Sequence, residues 1–410
     1  MMKTIIIGAG PAGMNAAIHA ANASNDVTLI ERNAKVGRKL YISGKGRCNL
    51  TNNKETRNFI ANVISNPKFL LSAFSQFAPK DTIKWFEEHG CPLVTTRGDR
   101  VFPESYKSAD VIDTMYRACL DAGVHFKFNA RVVDVKRFGD FFMVSTDKGA
   151  FSGDCLVIAT GGLSYPATGS TGDGYRFAKS FEHEIVDTVP ALTGIKIKEE
   201  VPHELMTFQF NNVELRVNDG KFHHEEFGDL SFYDGYLDGP IVISTSSFIN
   251  RRDNSNLKME IDLKPALDEA KLLSRFQREI DKTPKGHVYD LLAALLPLEF
   301  CPLFVKKLPF SDETLLAEFN KKDRLALVNV LKHFPLTFDG LKGYERAVVT
   351  SGGVSVRQID SRTMESKIVP NLYFVGEVLD VDAKTGGYNI QIALTTGAVA
   401  GNDIAKKSAI

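Results

Sequence analysis

Apolar residues fall along the chain in short unbroken runs, alternating runs and helical stripes. Thr4-Ile5-Ile6-Ile7 is short, β-branched and continuous, the pattern of a strand covered on both faces. Gly8-Ala9-Gly10-Pro11-Ala12-Gly13 follows, and the alanine-rich segment Met14 to Ala23 reads as a helix. Val27-Thr28-Leu29-Ile30 predicts a second buried strand, ending at Glu31, before a polar, glycine-rich loop over Asn33–Asn53. Helical stripes cover Lys68–Phe77, Lys80–His89 and Ser108–Ala122. Phe126–Lys136 and Phe141–Thr146 alternate as strands around a Gly139-Asp140 hairpin signal. Ala150–Ala159 returns to a buried strand, closed by Thr160-Gly161-Gly162.

The pattern changes near Pro190. Ile195–Ile197, Thr207–Val217 and Ile241–Ser244 suggest short antiparallel strands, and helical stripes then run over Ala266–Ile280, His287–Leu295 and Ser311–His333. Near Lys342 the first pattern resumes. Leu372-Tyr373-Phe374-Val375 is a buried strand ending in Gly376-Glu377, and Asn389–Ala405 is a long helix after Gly386-Gly387. The expectation is an α/β protein: a discontinuous Rossmann-like domain over 1–190 and 346–410, interrupted by a second domain over 191–345. The insert is expected to be β-rich over 191–262 and 334–345 and helical over 263–333.

Composition narrows the class. Of 410 residues 43% are hydrophobic and 24% charged, as in globular proteins. Fifty basic side chains balance fifty acidic ones, which argues against a broad nucleic-acid footprint while leaving a local patch open. Cys48, Cys91, Cys119, Cys155 and Cys301 form no CxxC, so no metal or dithiol site is expected and reduced thiols in a cytoplasm are the simplest reading. No stretch approaches a membrane span, and the apolar start reads as a buried strand rather than a signal peptide.

The glycine turn carries the first chemistry. In GxGxxG, Gly8 permits the tight turn, Gly10 lets the backbone approach a pyrophosphate, and Gly13 lets helix pack on strand. The opening helix turn offers N–H groups to phosphate charge. Glu31 lies 18 positions beyond Gly13, close to the spacing of the carboxylate that binds a ribose hydroxyl. Three strand ends then present glycine or acid: Gly8–Gly13, Thr160-Gly161-Gly162 and Gly376-Glu377. Converging on one crevice, they suit a long cofactor with a three-ring head, FAD rather than NAD. The helix start at Gly387-Tyr388-Asn389 suits the flavin pyrimidine, where reduction builds negative charge.

The first turn, Ala159–Gly162 and Asn371–Glu377 resemble the three FAD motifs of glutathione-reductase-type flavoproteins. More narrowly, Gly37-Arg38-Lys39 with Ser43-Gly44-Lys45-Gly46-Arg47-Cys48-Asn49-Leu50-Thr51-Asn52 resembles a bacterial family of NAD(P)/FAD-dependent oxidoreductases of the aminoacetone oxidase or BaiN-like type. Arg100–Ser105, Ser164–Gly174, Thr350–Val354 and Gly376–Gln391 match it as well. The resemblance implies non-covalent FAD and a small β-barrel plus helices as the insert. It places Glu31 on the adenosine ribose, Glu377 near the ribityl or phosphate region, Val132 against adenine through its backbone, and Lys39–Asn52 around the flavin. Ala12, Arg32, Ser43, Gly44, Cys48, Asn49, Asp380 and Ile390 complete the expected cofactor set. In the insert, Phe232–Pro240 carries Asp234 and Asp238 where the family tends to have histidine and serine.

Catalytic residues are not legible. Cys48, between Arg47 and Asn49, is either a thiolate activated by basic neighbours or a packed side chain. Arg47 and Lys39 suit a pyrophosphate or the reduced flavin. His223-His224-Glu225-Glu226 reads as a solvated strand, because adjacent strand side chains point to opposite faces and cannot share one ion. Tyr233, Asp234, Tyr236 and Asp238 are either substrate contacts or a polar turn. The leading expectation is an FAD-dependent oxidoreductase acting on a small molecule by hydride transfer; with no second GxGxxG present, reduction by a transiently docked NAD(P)H and an oxidase using oxygen as acceptor are equally open. The alternative is a flavin-bearing regulatory or macromolecule-binding protein; tRNA modification has no support from net charge.

Overall fold

A computed structural model describes residues 2–21 and 25–409, in two compact units: Met1–Pro190 with Tyr344–Ile410, and Ala191–Gly343. The expected end of the first helix, Ala23, lies outside the described residues.

The first unit is built on a five-stranded parallel sheet. Its order is Leu372–Phe374, Cys155–Ile158, Lys3–Ile7, Asp26–Ile30 and His125–Lys127. Helix Pro11–Ala21 and the final helix Tyr388–Ser408 pack together through small residues. A Cβ at Gly397 would stand 2.3 Å from the Ala12 carbonyl oxygen, and one at Gly401 2.5 Å from that of Ala16. Two three-stranded antiparallel sheets, Val132–Phe138 with Phe141–Thr146 and Gly149–Gly153, and Thr51–Asn52 with Arg100–Pro103 and Leu93–Thr96, flank this core.

Two expected strands are divided. Phe126–Lys136 becomes His125–Lys127 in the parallel sheet and Val132–Phe138 in an antiparallel one, because Asn129 turns the chain at φ 53°. Ala150–Ala159 divides at Asp154, whose carboxylate accepts from the Lys3 N–H at 2.8 Å. Lys68–Phe77 forms a 3₁₀ turn, Pro67–Leu70, and a short helix, Leu71–Phe74.

The second unit holds a seven-stranded antiparallel sheet, from Phe334–Leu336 at one edge to Phe338–Leu341 at the other, and a helical cluster with its own apolar core. His223–Tyr233 is an eleven-residue strand of it. Two expectations are corrected. Ile241–Ser244 lies in helix Pro240–Ile249: Pro240 presets the first helical φ, and burial all round erased the apolar stripe. Ser311–His333 is helical only over Lys321–Lys332, because Asn320 caps it by accepting from the Lys322 and Asp323 N–H groups at 2.9 and 3.2 Å.

Candidate functional site

The parallel strands end in backbone too close-packed for side chains. Gly8 has φ 106°, and a Cβ there would stand 2.5 Å from the Ala159 carbonyl oxygen. At Gly13 it would stand 1.9 Å from the Gly8 oxygen. Gly10 has nothing within 4 Å, so open space faces its α-carbon where a pyrophosphate is expected. Gly376, at φ 76°, leaves a Cβ only 2.8 Å from that of Ala12, and its N–H donates to Thr396 Oγ1 at 2.9 Å. Two glycine motifs 368 positions apart therefore meet.

Glu31 is buried at the end of its strand and braces the turn. One carboxylate oxygen accepts from the Ala9 N–H at 2.9 Å, the other from the Asn33 backbone and side-chain N–H groups at 2.8 and 2.7 Å. Arg32 reaches Thr171 Oγ1 at 2.6 Å and Asp173 at 3.2 Å, tying the second strand to the loop after Gly161-Gly162. Val132 is buried at the start of its strand.

Lys39 Nζ lies 2.5 Å from Glu377 Oε2 and 2.5 Å from Ser164 Oγ. Glu377 Oε1 accepts from Ser164 Oγ at 2.6 Å and the Thr350 N–H at 2.9 Å. Thr350 Oγ1 in turn accepts from the Leu163 and Ser164 N–H groups at 2.8 and 3.0 Å. A Cβ at Gly162 would stand 2.5 Å from Thr350 Oγ1. This cluster joins four chain segments, and Ser164 and Thr350 were missed as site residues. Their only sequence signal was membership of the family-like runs.

The loop Ser43–Asn52 curls against the final helix. Ser43 Oγ donates to the Leu40 oxygen at 2.7 Å, Gly44 has φ 57°, and the Arg47 guanidinium lies 5.9 Å from the Phe102 ring centroid. Asn49, with its amide paired donor to acceptor, accepts from the Gly387 N–H and donates to the Thr51 oxygen, each at 3.2 Å. Thr51 Oγ1 donates to Gln391 Oε1 at 2.5 Å, and Asn52 donates to the Gly386 oxygen at 3.1 Å. Asn389 closes a loop on the Ala383 N–H and oxygen, Tyr388 packs on Phe59 at 4.7 Å, and half-buried Ile390 follows in the same turn. Asp380 accepts from the Asn66 amide at 2.9 Å.

Cys48 follows the packed alternative rather than the thiolate. It is fully buried at φ 54°, and burial pushes its thiol up to about 12, away from a thiolate at neutral pH. It packs instead. In the long insert strand His223 is exposed, as a solvated strand would have it, whereas His224 is only 14% accessible and stacks on the Phe248 ring at 4.1 Å; among the described residues no cluster of three metal-ligating side chains occurs.

The donor set fits FAD: an open face at Gly10, the buried Glu31 carboxylate at the end of the second strand, and the first N–H groups of the 21-residue helix Tyr388–Ser408. Thr160 Oγ1 and Asn52 Oδ1 are buried there without a hydrogen bond among the described residues. A family model described as "HI0933-like protein Rossmann domain" matches residues 2–403. The chain belongs to this HI0933-like family. It is 31% identical to the ribosomal RNA dihydrouridine synthase of Escherichia coli over 98% of both chains. It is 27% identical to the 3-dehydro-bile acid delta(4,6)-reductase of Clostridium scindens over 99% of this chain and all of that one. Two solved structures share its fold at TM-score 0.51: a flavocytochrome c3 fumarate reductase (19% identity; 99% of this chain, 78% of that one) and 3-ketosteroid-delta4-(5alpha)-dehydrogenase of Rhodococcus jostii RHA1 (13%; 98% and 97%). Like its HI0933-like relatives, the chain is an FAD-dependent oxidoreductase, so the reading of FAD as a purely structural group falls. No helix among the described residues is long and apolar enough to cross a membrane.

Proposed function

We propose that the chain is an FAD-dependent reductase that saturates a carbon–carbon double bond conjugated to a carbonyl, with NAD(P)H as electron donor. The observation that carries this reading is the meeting of three glycine-bearing strand ends with the start of helix Tyr388–Ser408 in one unit. Its chemistry comes from two relatives aligned over nearly their whole length. One is named for reducing the delta(4,6) bonds of a 3-oxo steroid acid, the other for making dihydrouridine from a pyrimidine. In both, the reduced bond is conjugated to a carbonyl. The reacting unit, free or carried on a larger molecule, is then the same in chemical terms.

Gly10 receives the pyrophosphate and Glu31 the adenosine ribose, while the backbone at Val132 meets adenine. Lys39 and Glu377 lie along the ribityl chain. The N–H groups opening the final helix favour negative charge at the flavin pyrimidine, with Asn49 holding their Gly387 cap. FAD held by these residues would, when reduced by NAD(P)H, supply the hydride such a bond needs at the carbon β to the carbonyl, with water the source of the proton at the α carbon. Arg47 and Lys39 add positive charge near that end.

The test is an anaerobic titration of the flavin-loaded protein. Bleaching by NADH or NADPH, followed by reoxidation on adding a conjugated enone under nitrogen, supports the reading. Reoxidation by air alone, with no enone accepted, would leave an oxidase in its place.

A further inference from the structure

The insert carries an aromatic stack that the cofactor site does not use. Strand His223–Tyr233 returns as strand Tyr236–Asp238 through the two-residue turn Asp234-Gly235, with Gly235 at φ 67°. Tyr233 and Tyr236 are paired across that turn, so both side chains stand on one face of the sheet. Their rings stack, with centroids 4.9 Å apart and planes at 10°. Leu237, one position on, is buried on the opposite face, so the tyrosines stand on the outer one. Lys196, paired with Tyr236 from strand Ile195–Ile197, shares the outer face.

The stack is held in place from behind. Lys342 Nζ lies 4.0 Å from the Tyr236 ring centroid, and Gly194 makes room for the pair. A Cβ at Gly194 would stand 3.1 Å from both Lys342 Cγ and Tyr236 Cδ2, and 2.9 Å from the Leu237 oxygen. The Ile197 N–H donates to the Gly235 oxygen at 3.0 Å and ties the tip to the next strand. Tyr233 ends the stack half-buried, and among the described residues its ring meets no ring or cation besides Tyr236. Beside it, the exposed Asp234 carboxylate has no hydrogen bond or ion pair among the described residues. Charge around the tip is balanced: Lys196, Lys198 and Lys342 face Asp234, Asp238 and Asp339. Asp238 accepts from the Gly239 N–H at 2.7 Å, while Glu199 and Asp229, further out, are taken by Lys307 and by the Asn212 N–H.

A bare ring face, a free carboxylate next to it and two ammonium groups behind it match the adenosine diphosphate half of a dinucleotide. Adenine stacks on an aromatic ring, a carboxylate takes the ribose hydroxyls, and ammonium groups meet the pyrophosphate. We propose that the tip of this hairpin is the docking site of NADH, with adenine on Tyr233, the ribose diol on Asp234 and the pyrophosphate on Lys196 and Lys342. The proposal rests on the reading above that a nicotinamide dinucleotide is the electron donor, and it adds where in the chain the donor is held and in which form. NADH is taken in preference to NADPH, because Asp234 occupies the place of the 2′-phosphate and the balanced face has no surplus cation to offset that charge.

The experiment titrates NAD⁺ and NADP⁺ calorimetrically into the full chain loaded with oxidised FAD, where binding is read without electron transfer. NAD⁺ is expected to bind about tenfold more tightly than NADP⁺, and ADP-ribose to compete with it. Tyr233→Ser lowers NAD⁺ affinity about tenfold, the size of a lost base–ring stack, with the melting temperature and flavin spectrum unchanged. Tyr233→Phe keeps the affinity, and Asp234→Asn narrows the preference for NAD⁺ over NADP⁺. In anaerobic stopped flow, Tyr233→Ser raises the NADH concentration that gives half-maximal bleaching and leaves the limiting rate alone. No binding of NAD⁺, equal affinity in Tyr233→Ser and wild type, NADP⁺ bound as tightly as NAD⁺, or no competition by ADP-ribose overturns the proposal. A raised enone requirement in Tyr233→Ser with NAD⁺ affinity unchanged overturns it in favour of a substrate platform. Tyr233-dependent NAD⁺ binding in a protein that accepts no enone sinks only the reductase, and enone reduction with nucleotide affinity indifferent to the tip sinks only the docking site.

Discussion

Lys39 and Glu377 are 338 positions apart in the chain, and their charged atoms lie 2.5 Å apart. Ser164 and the Thr350 N–H fill the other carboxylate oxygen, so one glutamate ties together the loop after the second strand, the loop after Gly161-Gly162 and the strand Val349–Val354. Both partners are about a quarter exposed, with 26% and 21% of their side-chain surface accessible. A hydrogen bond to a charged group in such a setting contributes about 1.5–3 kcal/mol.

Replacing Glu377 by alanine is therefore expected to weaken FAD binding about 10- to 100-fold, with Glu377→Gln keeping part of the loss back. Calorimetric titration of FAD into apoprotein measures it. An unchanged dissociation constant for the alanine variant would remove Glu377 from the cofactor site.

Gly10 and Gly13 separate binding from folding. Gly10 faces open space, so Gly10→Ala should leave the apoprotein's melting temperature within about 2 °C while abolishing FAD uptake, because the methyl group occupies the pyrophosphate approach. Gly13→Ala drives its Cβ to 1.9 Å from the Gly8 oxygen and should lower the melting temperature itself by several degrees. Thermal melts with and without FAD distinguish the two.

How much of this was legible follows from sequence distance. Gly8 to Glu31 is one continuous turn–helix–strand unit whose glycine and acid spacing reads directly from the chain. The Lys39–Ser164–Thr350–Glu377 cluster does not, since four residues drawn from separate segments share no period or spacing. Helix Pro240–Ile249 was misread for a different reason. Ile241, Val242 and Ile249 are buried alongside Ser244, Thr245, Ser246 and Ser247, so burial all round hides the stripe that marks a helix.

His19 and His183 make stability depend on pH. Burial lowers the pKa of both, so the folded state resists protonation while the unfolded chain takes up protons near pH 6.5. Stability is full above that value and declines as pH falls through it toward the lower folded values. Denaturant melts at pH 7.5 and 5.5 should show the loss. His183→Gln, which keeps a partner for Ser366 Oγ, should reduce it; an unchanged pH slope would assign the loss elsewhere.

Cys48 is expected to be inert. With its thiol pushed up to about 12 and its side chain buried, iodoacetamide should leave it unlabelled in the folded protein, and Cys48→Ala should keep the flavin spectrum and its rate of reduction. A tenfold fall in reduction rate would restore it as a catalytic candidate.

The central claim is that this chain carries electrons through FAD to a conjugated double bond. The most direct measurement is the anaerobic visible spectrum of the flavin-loaded protein as NAD(P)H and then an enone are added. Bleaching by the nucleotide and recovery of the oxidised spectrum, with the saturated product appearing in equal amount, are the expected result. A flavin that bleaches and stays reduced with every conjugated acceptor, recovering only in air, would contradict it.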